Sequence, residues 1–119
     1  MYFNPQEFLE LAERLTNDSR YGLTSRTRTA IGRAYYAAFL LTKKRLEELG
    51  MSFRDVDRLH QQVITGLNEK NSGLANRLNT LREHRVDADY EMRASMDINL
   101  AKKCVSISQY VIHSLSQTK

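Results

Sequence analysis

The segment 81–90 brings together the residue types with the most chemistry in this chain. His84 and Arg85 are adjacent, and Asp89 and Tyr90 follow shortly after them. A histidine titrates near neutral pH and can serve as a base or an acid, whereas an arginine is a rigid cationic fork that fits a phosphate group. A site that combines these two residue types could bind a phosphodiester and, without a metal ion, deprotonate the ribose 2′-hydroxyl group beside it.

A second arrangement pairs Arg77 with His84, with six residues between them. In a helix, two turns would place both side chains on the same side. Arg85 with Asp89 and Tyr90 instead combines a phosphate binder with a carboxylate, but a tyrosine with its ordinary pKa of about 10 is a poor base at neutral pH. The structural alternative is that Arg85 and Asp89, four residues apart, form an ordinary helix ion pair worth about 0.2–0.5 kcal/mol.

A basic stretch precedes this segment. Residues 19–46 contain no acidic side chain and seven basic ones, in a chain of net charge +4 and pI of about 9.4. We interpret Arg26, Arg33 and Tyr36 as candidate RNA- or nucleotide-binding residues, because basic side chains contact phosphates and an aromatic ring can contact a base. The competing interpretation is a solvated helix face, since basic runs are common on protein surfaces.

Composition excludes several other kinds of site. A length of 119 residues predicts one domain, residues 1–119, with an ordinary globular composition of 41% apolar and 27% charged residues. Cys104 cannot form an internal disulfide, and together with the three histidines it has no zinc-site spacing, so we predict no metal and no cofactor. No stretch approaches a membrane span and no signal peptide opens the chain, which predicts a cytoplasmic protein that does not bind membranes.

The apolar pattern predicts helices from the start of the chain. Asn4 suits an N-cap and Pro5 the first helical position, and apolar residues then recur on one helical face. Thr24 or Ser25 is predicted to cap a long second helix, which ends at Gly50 because glycine tolerates the left-handed conformation after a last helical turn. Between these two helices lies a polar connection.

The third and fourth helices are separated by a polar turn. A third helix is predicted over residues 54–68, with Val56 and His60 on its inner face. Residues 69–73 read as the turn, and the apolar pattern of the fourth helix fades over residues 85–90. On this pattern His60 is predicted to be a hydrogen-bonded core histidine rather than an acid or a base.

The last helix completes the predicted fold. Ser95 or Asp97 is expected to cap it, and it runs to about residue 116 with a wide apolar face that suits packing on several neighbours. Short connections favour antiparallel neighbours. The sequence therefore predicts an all-α protein, an antiparallel bundle of four to five helices.

Three separated segments resemble the HEPN (higher eukaryotes and prokaryotes nucleotide-binding) family. Residues 32–39, which read GRAYYAAF, are similar to the YYAxF segment of small prokaryotic HEPN proteins, and His60 follows in the next predicted helix as in many of them. Residues 81–90, which read LREHRVDADY, resemble the R-x-x-A-D-Y segment of one stand-alone branch. The order and spacing of the segments agree as well, and the resemblance covers nearly the whole chain.

The resemblance implies a helical bundle that usually dimerises and is associated with RNA or nucleotides. Many HEPN proteins are metal-independent endoribonucleases of toxin–antitoxin, CRISPR and other defence systems, in which a histidine closely follows an arginine. Others lack this motif and act as binding or partner modules, some beside a nucleotidyltransferase. If Arg85 is the motif arginine here, Tyr90 stands where the histidine would be, and Val86 replaces the usual polar neighbour.

We therefore predict an HEPN-like, homodimeric binding or partner protein of a toxin–antitoxin or defence-type system. It would engage RNA, a nucleotide or a nucleotidyltransferase-like protein. Tyr90 favours this prediction over the first alternative, an active metal-independent endoribonuclease. The basic stretch favours both over the second alternative, a non-catalytic helical protein-interaction module. The site would centre on Arg85, Asp89 and Tyr90, with supporting roles for Arg26, Arg33, Tyr36, Arg77 and His84.

Overall fold

The computed structural model of the protein describes residues 3–119, which form a bundle of α-helices. The helices are α1 (Gln6–Asn17), α2 (Leu23–Glu48), α3 (Leu59–Lys70), α4 (Ser72–Tyr90) and α5 (Ile98–Leu115), and a short 3₁₀ helix (Val56–Arg58) precedes α3. The described residues contain no strand. The predicted all-α bundle is therefore confirmed. Within residues 3–119, no helix combines the length and the apolar character that crossing a bilayer requires.

Helix α2 runs through the middle of the bundle and packs against the four other α-helices. Its buried positions combine small and bulky side chains. Ala34 and Ala38 allow the neighbouring helices to approach closely, while Ile31 and Tyr35 fill the space between them. From α5, the hydroxyl group of Ser108 donates a buried 2.7 Å hydrogen bond to the carbonyl oxygen of Ala34. The core therefore forms around α2, and the two flanks of that helix are available to carry polar groups.

Two of the predicted helix caps are confirmed. The side-chain oxygen of Asn4 accepts a 3.0 Å hydrogen bond from the amide of Gln6, and Pro5 has helical dihedral angles. Asp97, rather than Ser95, caps α5 by accepting a 2.9 Å hydrogen bond from the amide of Leu100.

The predicted start of α2 is wrong. The helix begins at Leu23, after Gly22, so Thr24 and Ser25 already lie in its first turn and neither caps it. Gly22 has extended dihedral angles, and its carbonyl oxygen accepts the first helical hydrogen bond, at 3.0 Å from the amide of Arg26. Because this backbone bond closes the first turn, the helix starts without a side-chain cap.

The predicted boundaries of the third helix also need correction. Asp55 accepts a 3.2 Å hydrogen bond from the amide of Asp57, which starts a 3₁₀ turn, and α3 begins only at Leu59. Val56 is 83% exposed in that turn, so its predicted place on the inner face is wrong. The polar turn expected over residues 69–73 shrinks to one residue, Asn71, whose side chain caps α4 through the amide of Leu74 at 3.1 Å.

Helix α4 does not fade over residues 85–90 but continues to Tyr90. Ala88 is buried against the bundle, which holds the last turn in place. The guanidinium group of Arg28, on α2, donates to the carbonyl oxygens of Asp87 and Ala88 at 3.3 and 2.9 Å. The Asp87 carbonyl oxygen also accepts a 3.0 Å bond from the amide of Glu91, so Arg28 adds a second donor to the end of the helix. Local apolar periodicity could not predict where α4 ends, because the arginine that binds its last turn lies about 60 residues earlier in the chain.

Gly50 ends α2 in the predicted manner. Its φ angle is +98°, which lies in the left-handed region. The amide of Met51 donates to the carbonyl oxygen of Leu46 and that of Gly50 to Glu47, both at 3.0 Å, which is the pattern of a Schellman motif.

Replacing Gly50 by alanine is expected to lower the free energy of unfolding by about 1 kcal/mol, because an L-residue is strained in the left-handed region. An added Cβ atom would have no neighbour within 4 Å, so the cost is conformational rather than steric. Gly22→Ala is the matched control, because Gly22 has a φ of −57° and its nearest neighbour would be 3.9 Å away. Urea denaturation measures both variants, and equal stabilities would contradict the expectation.

Candidate functional site

Arg85 and Tyr36 form the centre of a polar cluster on one flank of the bundle. Tyr36 lies on α2 and Arg85 on α4, and the guanidinium group of Arg85 donates a hydrogen bond to the hydroxyl group of Tyr36. The guanidinium carbon also lies 5.0 Å from the centre of the Tyr36 ring. The side chain of Arg85 is only 15% exposed, so both contacts hold it in one place. Arg85, a residue type that suits phosphate binding, is therefore held in a fixed orientation by its contacts with Tyr36.

Two further residues of the predicted site adjoin this pair. Asp89 forms a 3.2 Å ion pair with Arg85 within α4, as the structural alternative anticipated. Its carboxylate also lies beside Gly32 of α2, at an ordinary van der Waals distance of 3.7 Å from where a Cβ atom would stand. The guanidinium carbon of Arg33 lies 5.4 Å from the centre of the Tyr36 ring. Arg33, Tyr36, Arg85 and Asp89 are thus brought together from two helices.

His60, which the sequence interpretation left out of the site, lies against the same cluster. Its ring stacks on Phe39 with the centroids 4.3 Å apart, and it lies 6.1 Å from the ring of Tyr36. The hydroxyl group of the fully buried Tyr35 is hydrogen-bonded to Nδ1 of His60 at 2.5 Å. The predicted hydrogen bond of this histidine is therefore present, but its position also places an imidazole beside Tyr36, the partner of Arg85.

The charges around His60 change its acid–base properties. Burial lowers the pKa of His60 below its usual value, and the positive charges of Arg82 and Arg85 lower it further. Burial raises the pKa of Tyr35, so its hydroxyl group stays neutral. Arg82 belongs to the same flank of α4 as Arg85, three residues earlier, and was also missing from the predicted site. We call the set Arg33, Tyr36, His60, Arg82 and Arg85 the anion site.

Arg77 and His84 are not brought into the anion site. The guanidinium carbon of Arg77 lies 4.4 Å from the centre of the Tyr110 ring on α5, on the other flank of α4. His84 follows Arg77 by two helical turns and therefore faces the same flank. The pairing of Arg77 with His84 stays a prediction, and the described contact of Arg77 is with Tyr110 rather than with Arg85 or Tyr36.

Tyr90 and Arg26 take different positions. Tyr90, the last residue of α4, is 70% exposed, and its ring centre lies 5.8 Å from the guanidinium carbon of Arg85. Arg26 donates from one guanidinium nitrogen to the carbonyl oxygens of Leu15 and Thr16, both at 3.0 Å, and so caps the end of α1. The structure thus gives Arg26 a structural contact, whereas Tyr90 presents an exposed aromatic ring at the edge of the anion site.

Arg28 positions the end of α4 and was not singled out by its sequence. Besides its bonds to the last turn of that helix, it donates to the carbonyl oxygens of Glu91 and Ala94 at 3.0 and 2.8 Å. One side chain therefore ties the segment after α4 to α2. Only its membership of the basic stretch could have drawn attention to it.

The arrangement suits a phosphate-bearing ligand better than a metal ion. Residues 3–119 contain no cluster of histidine, cysteine and carboxylate side chains that could hold a metal. A cavity of about 510 Å³ opens on a different face of α3, but its charges are mixed, with Arg58 beside Asp55 and Glu69. The anion site has the stronger electrostatic character, because the guanidinium groups of Arg33 and Arg85 both lie over the Tyr36 ring and Asp89 pairs with Arg85. Cys104 is fully buried in the core, and this burial raises the pKa of its thiol to about 11, so the thiol is neutral at neutral pH.

Comparison with known proteins adds a family assignment. The sequence profile of the HEPN domain matches residues 4–118. The chain is also similar to an uncharacterized protein of Methanocaldococcus jannaschii, with 28% identity over an alignment that covers 98% of this chain and 81% of that protein.

Proposed function

We propose that this chain, which belongs to the HEPN domain family, binds the phosphate groups of RNA or of a nucleotide at the anion site and acts as a binding or partner protein. Family membership confirms the predicted resemblance and supports an RNA- or nucleotide-related role in general. The homodimer, the nucleotidyltransferase-like partner and the toxin–antitoxin context stay predictions.

The observation that carries this proposal is the excess of positive charge around Tyr36. Arg33 and Arg85 both lie over its ring, and the charge of Arg82 acts on the adjoining His60. Among residues 3–119, Asp89 is the one carboxylate that forms an ion pair with any of these arginines. Gathering like charges opposes folding, and a bound polyanion would offset this repulsion.

The exposed ring of Tyr90 adds a contact for a base. The guanidinium groups of Arg33 and Arg85 cover the ring of Tyr36. The ring of Tyr90, in contrast, is exposed beside Arg85. Stacking of a base on an aromatic side chain contributes about 1–3 kcal/mol and depends little on sequence. Single-stranded RNA is therefore the preferred form of the ligand, because its bases are free to stack.

Wild-type protein is expected to bind a short single-stranded RNA with strong salt dependence. Three phosphate contacts predict a slope of about −2 when the logarithm of the binding constant is plotted against that of the salt concentration. Fluorescence anisotropy measures this slope. A poly-glutamate of similar charge is the control, because it lacks phosphate groups and bases, and equal affinity for both polymers would contradict a phosphate site.

The second candidate function, a metal-independent endoribonuclease, is favoured by the position of His60. Its lowered pKa keeps the imidazole neutral at neutral pH, the form that can accept a proton. The same RNA, incubated with the protein in excess EDTA and separated on a denaturing gel, distinguishes the two functions. Intact RNA in the presence of binding supports the binding protein, and cleavage that His60→Gln abolishes supports the nuclease.

A further inference from the structure

One ring nitrogen of His60 is hydrogen-bonded inside the bundle, and the described residues form no hydrogen bond with the other. Nδ1 is hydrogen-bonded to the hydroxyl group of Tyr35, and the ring lies flat against Phe39, with an angle of 18° between the planes. Residue 60 is only partly buried, whereas Tyr35 behind it is fully buried. The imidazole is thus held rigidly at the border between the core and the anion site.

We propose that His60 is a ligand-contacting residue of the anion site and takes up a proton when a phosphate group binds beside Arg82 and Arg85. This inference rests on the proposed function and names a third cationic partner for the phosphate, contributed by α3. The empty site then holds a neutral imidazole, and the occupied site an imidazolium ion. The ligand class is a phosphodiester or a phosphate monoester, since both supply the negative charge.

The groups that face His60 explain why the proton and the phosphate favour each other. From α2 these are the hydroxyl groups of Tyr35 and Tyr36, and from α4 they are the guanidinium groups of Arg82 and Arg85. Arg85 has a counter-ion in Asp89, whereas no ion pair is described for Arg82, which lines an open groove together with Glu83 and Asp87. Both charges that act on the imidazole are therefore positive, and they disfavour its protonated form.

A bound phosphate reverses this balance. Its negative charge offsets the two guanidinium groups and attracts the imidazolium ion directly, so the pKa of His60 rises in the complex relative to the free protein. By thermodynamic linkage, the protonated protein then binds the phosphate more tightly, and affinity increases as the pH falls through the range in which His60 titrates. The stability of the free protein depends on pH in the opposite direction. Because folding lowers the pKa of His60, its contribution to the free energy of unfolding is present above the ordinary histidine pKa and is lost as the pH falls.

The test measures the affinity for a short 2′-O-methyl oligouridylate with hydroxyl ends between pH 5.5 and 7.5. This probe cannot be cleaved at the 2′ position, and its phosphodiesters keep a constant charge over the range, so any change in affinity comes from the protein. We expect wild-type affinity to rise about three- to tenfold on acidification, since one unit of pKa difference corresponds to tenfold. His60→Gln should remove this rise, whereas His113→Gln, which changes an exposed histidine of α5, should keep it.

A second measurement does not depend on the folding of a variant. The NMR titration of the His60 imidazole in the wild-type protein should show a higher pKa with the oligonucleotide bound than without it. An unchanged titration at saturating ligand would overturn the inference while leaving the proposed function intact. Loss of the pH dependence in His84→Gln but not in His60→Gln would also overturn it, because the proton would then belong to the other flank of α4. Absence of binding at every pH would overturn the proposed function itself.

Discussion

Arg85→Ala is expected to weaken RNA binding about 30-fold. A hydrogen bond between a charged group and its partner contributes about 1.5–3 kcal/mol, and Arg85 is the arginine that the structure holds most firmly at the anion site, through Tyr36 and Asp89. Arg85→Lys keeps the charge but loses the planar fork, so its affinity should lie between those of the wild type and the alanine variant. Fluorescence anisotropy at fixed ionic strength measures all three proteins.

The control for this prediction is Arg14→Ala. Arg14 is exposed on α1, so this variant loses the same charge without touching the anion site. Binding that falls equally in both variants would show a response to net charge alone and would contradict a localised site. Circular dichroism should find Arg85→Ala folded, because the carboxylate of Asp89 that it leaves without a partner is 41% exposed and stays hydrated.

Arg28→Ala is expected to destabilise the protein by about 3 kcal/mol and to loosen the end of α4 selectively. The guanidinium group donates to four carbonyl oxygens between Asp87 and Ala94, and deleting it removes all four bonds at once. The carbonyl oxygens of Asp87 and Glu91 keep one backbone donor each. Hydrogen bonds to charged groups contribute about 1.5–3 kcal/mol each, but four bonds from one side chain act as a unit and do not add up. Urea denaturation measures the loss of stability.

Hydrogen exchange locates the effect. Amides in the last turn of α4 and in the segment before α5 should exchange faster in Arg28→Ala, while those of α1 keep their protection relative to global unfolding. Arg93→Ala is the matched control, because Arg93 is an exposed arginine of the same segment whose backbone amide, rather than its side chain, makes the described hydrogen bond. Uniformly faster exchange in Arg28→Ala would argue against a local clamp. RNA affinity should fall less than in Arg85→Ala, since Arg28 acts through the position of α4 and its donors are already engaged.

The sequence by itself predicted the helical architecture because helix formation is encoded in local patterns. Apolar residues at helical spacing, the Asn4 and Asp97 caps and the Gly50 stop depend on residues within one or two turns, and all of them appear in the structure. The family resemblance is equally local, since its segments lie within single helices. Boundaries failed where a competing local bond acted, as with the turn that Asp55 starts before α3.

The composition of the candidate site was decided by tertiary structure. Arg85, Asp89 and Arg33 could be named from residue type, but their meeting at Tyr36 depends on how α4 packs on α2. His60 read as a core residue because it lies on an apolar face, and only the packing of α3 shows that it also adjoins two arginines. Arg28 carried no signal beyond its membership of the basic stretch, since its partners are backbone carbonyls about 60 residues away. Residue chemistry and helical periodicity are properties of short segments, whereas the charge around a side chain depends on distances across the bundle, which no local pattern encodes.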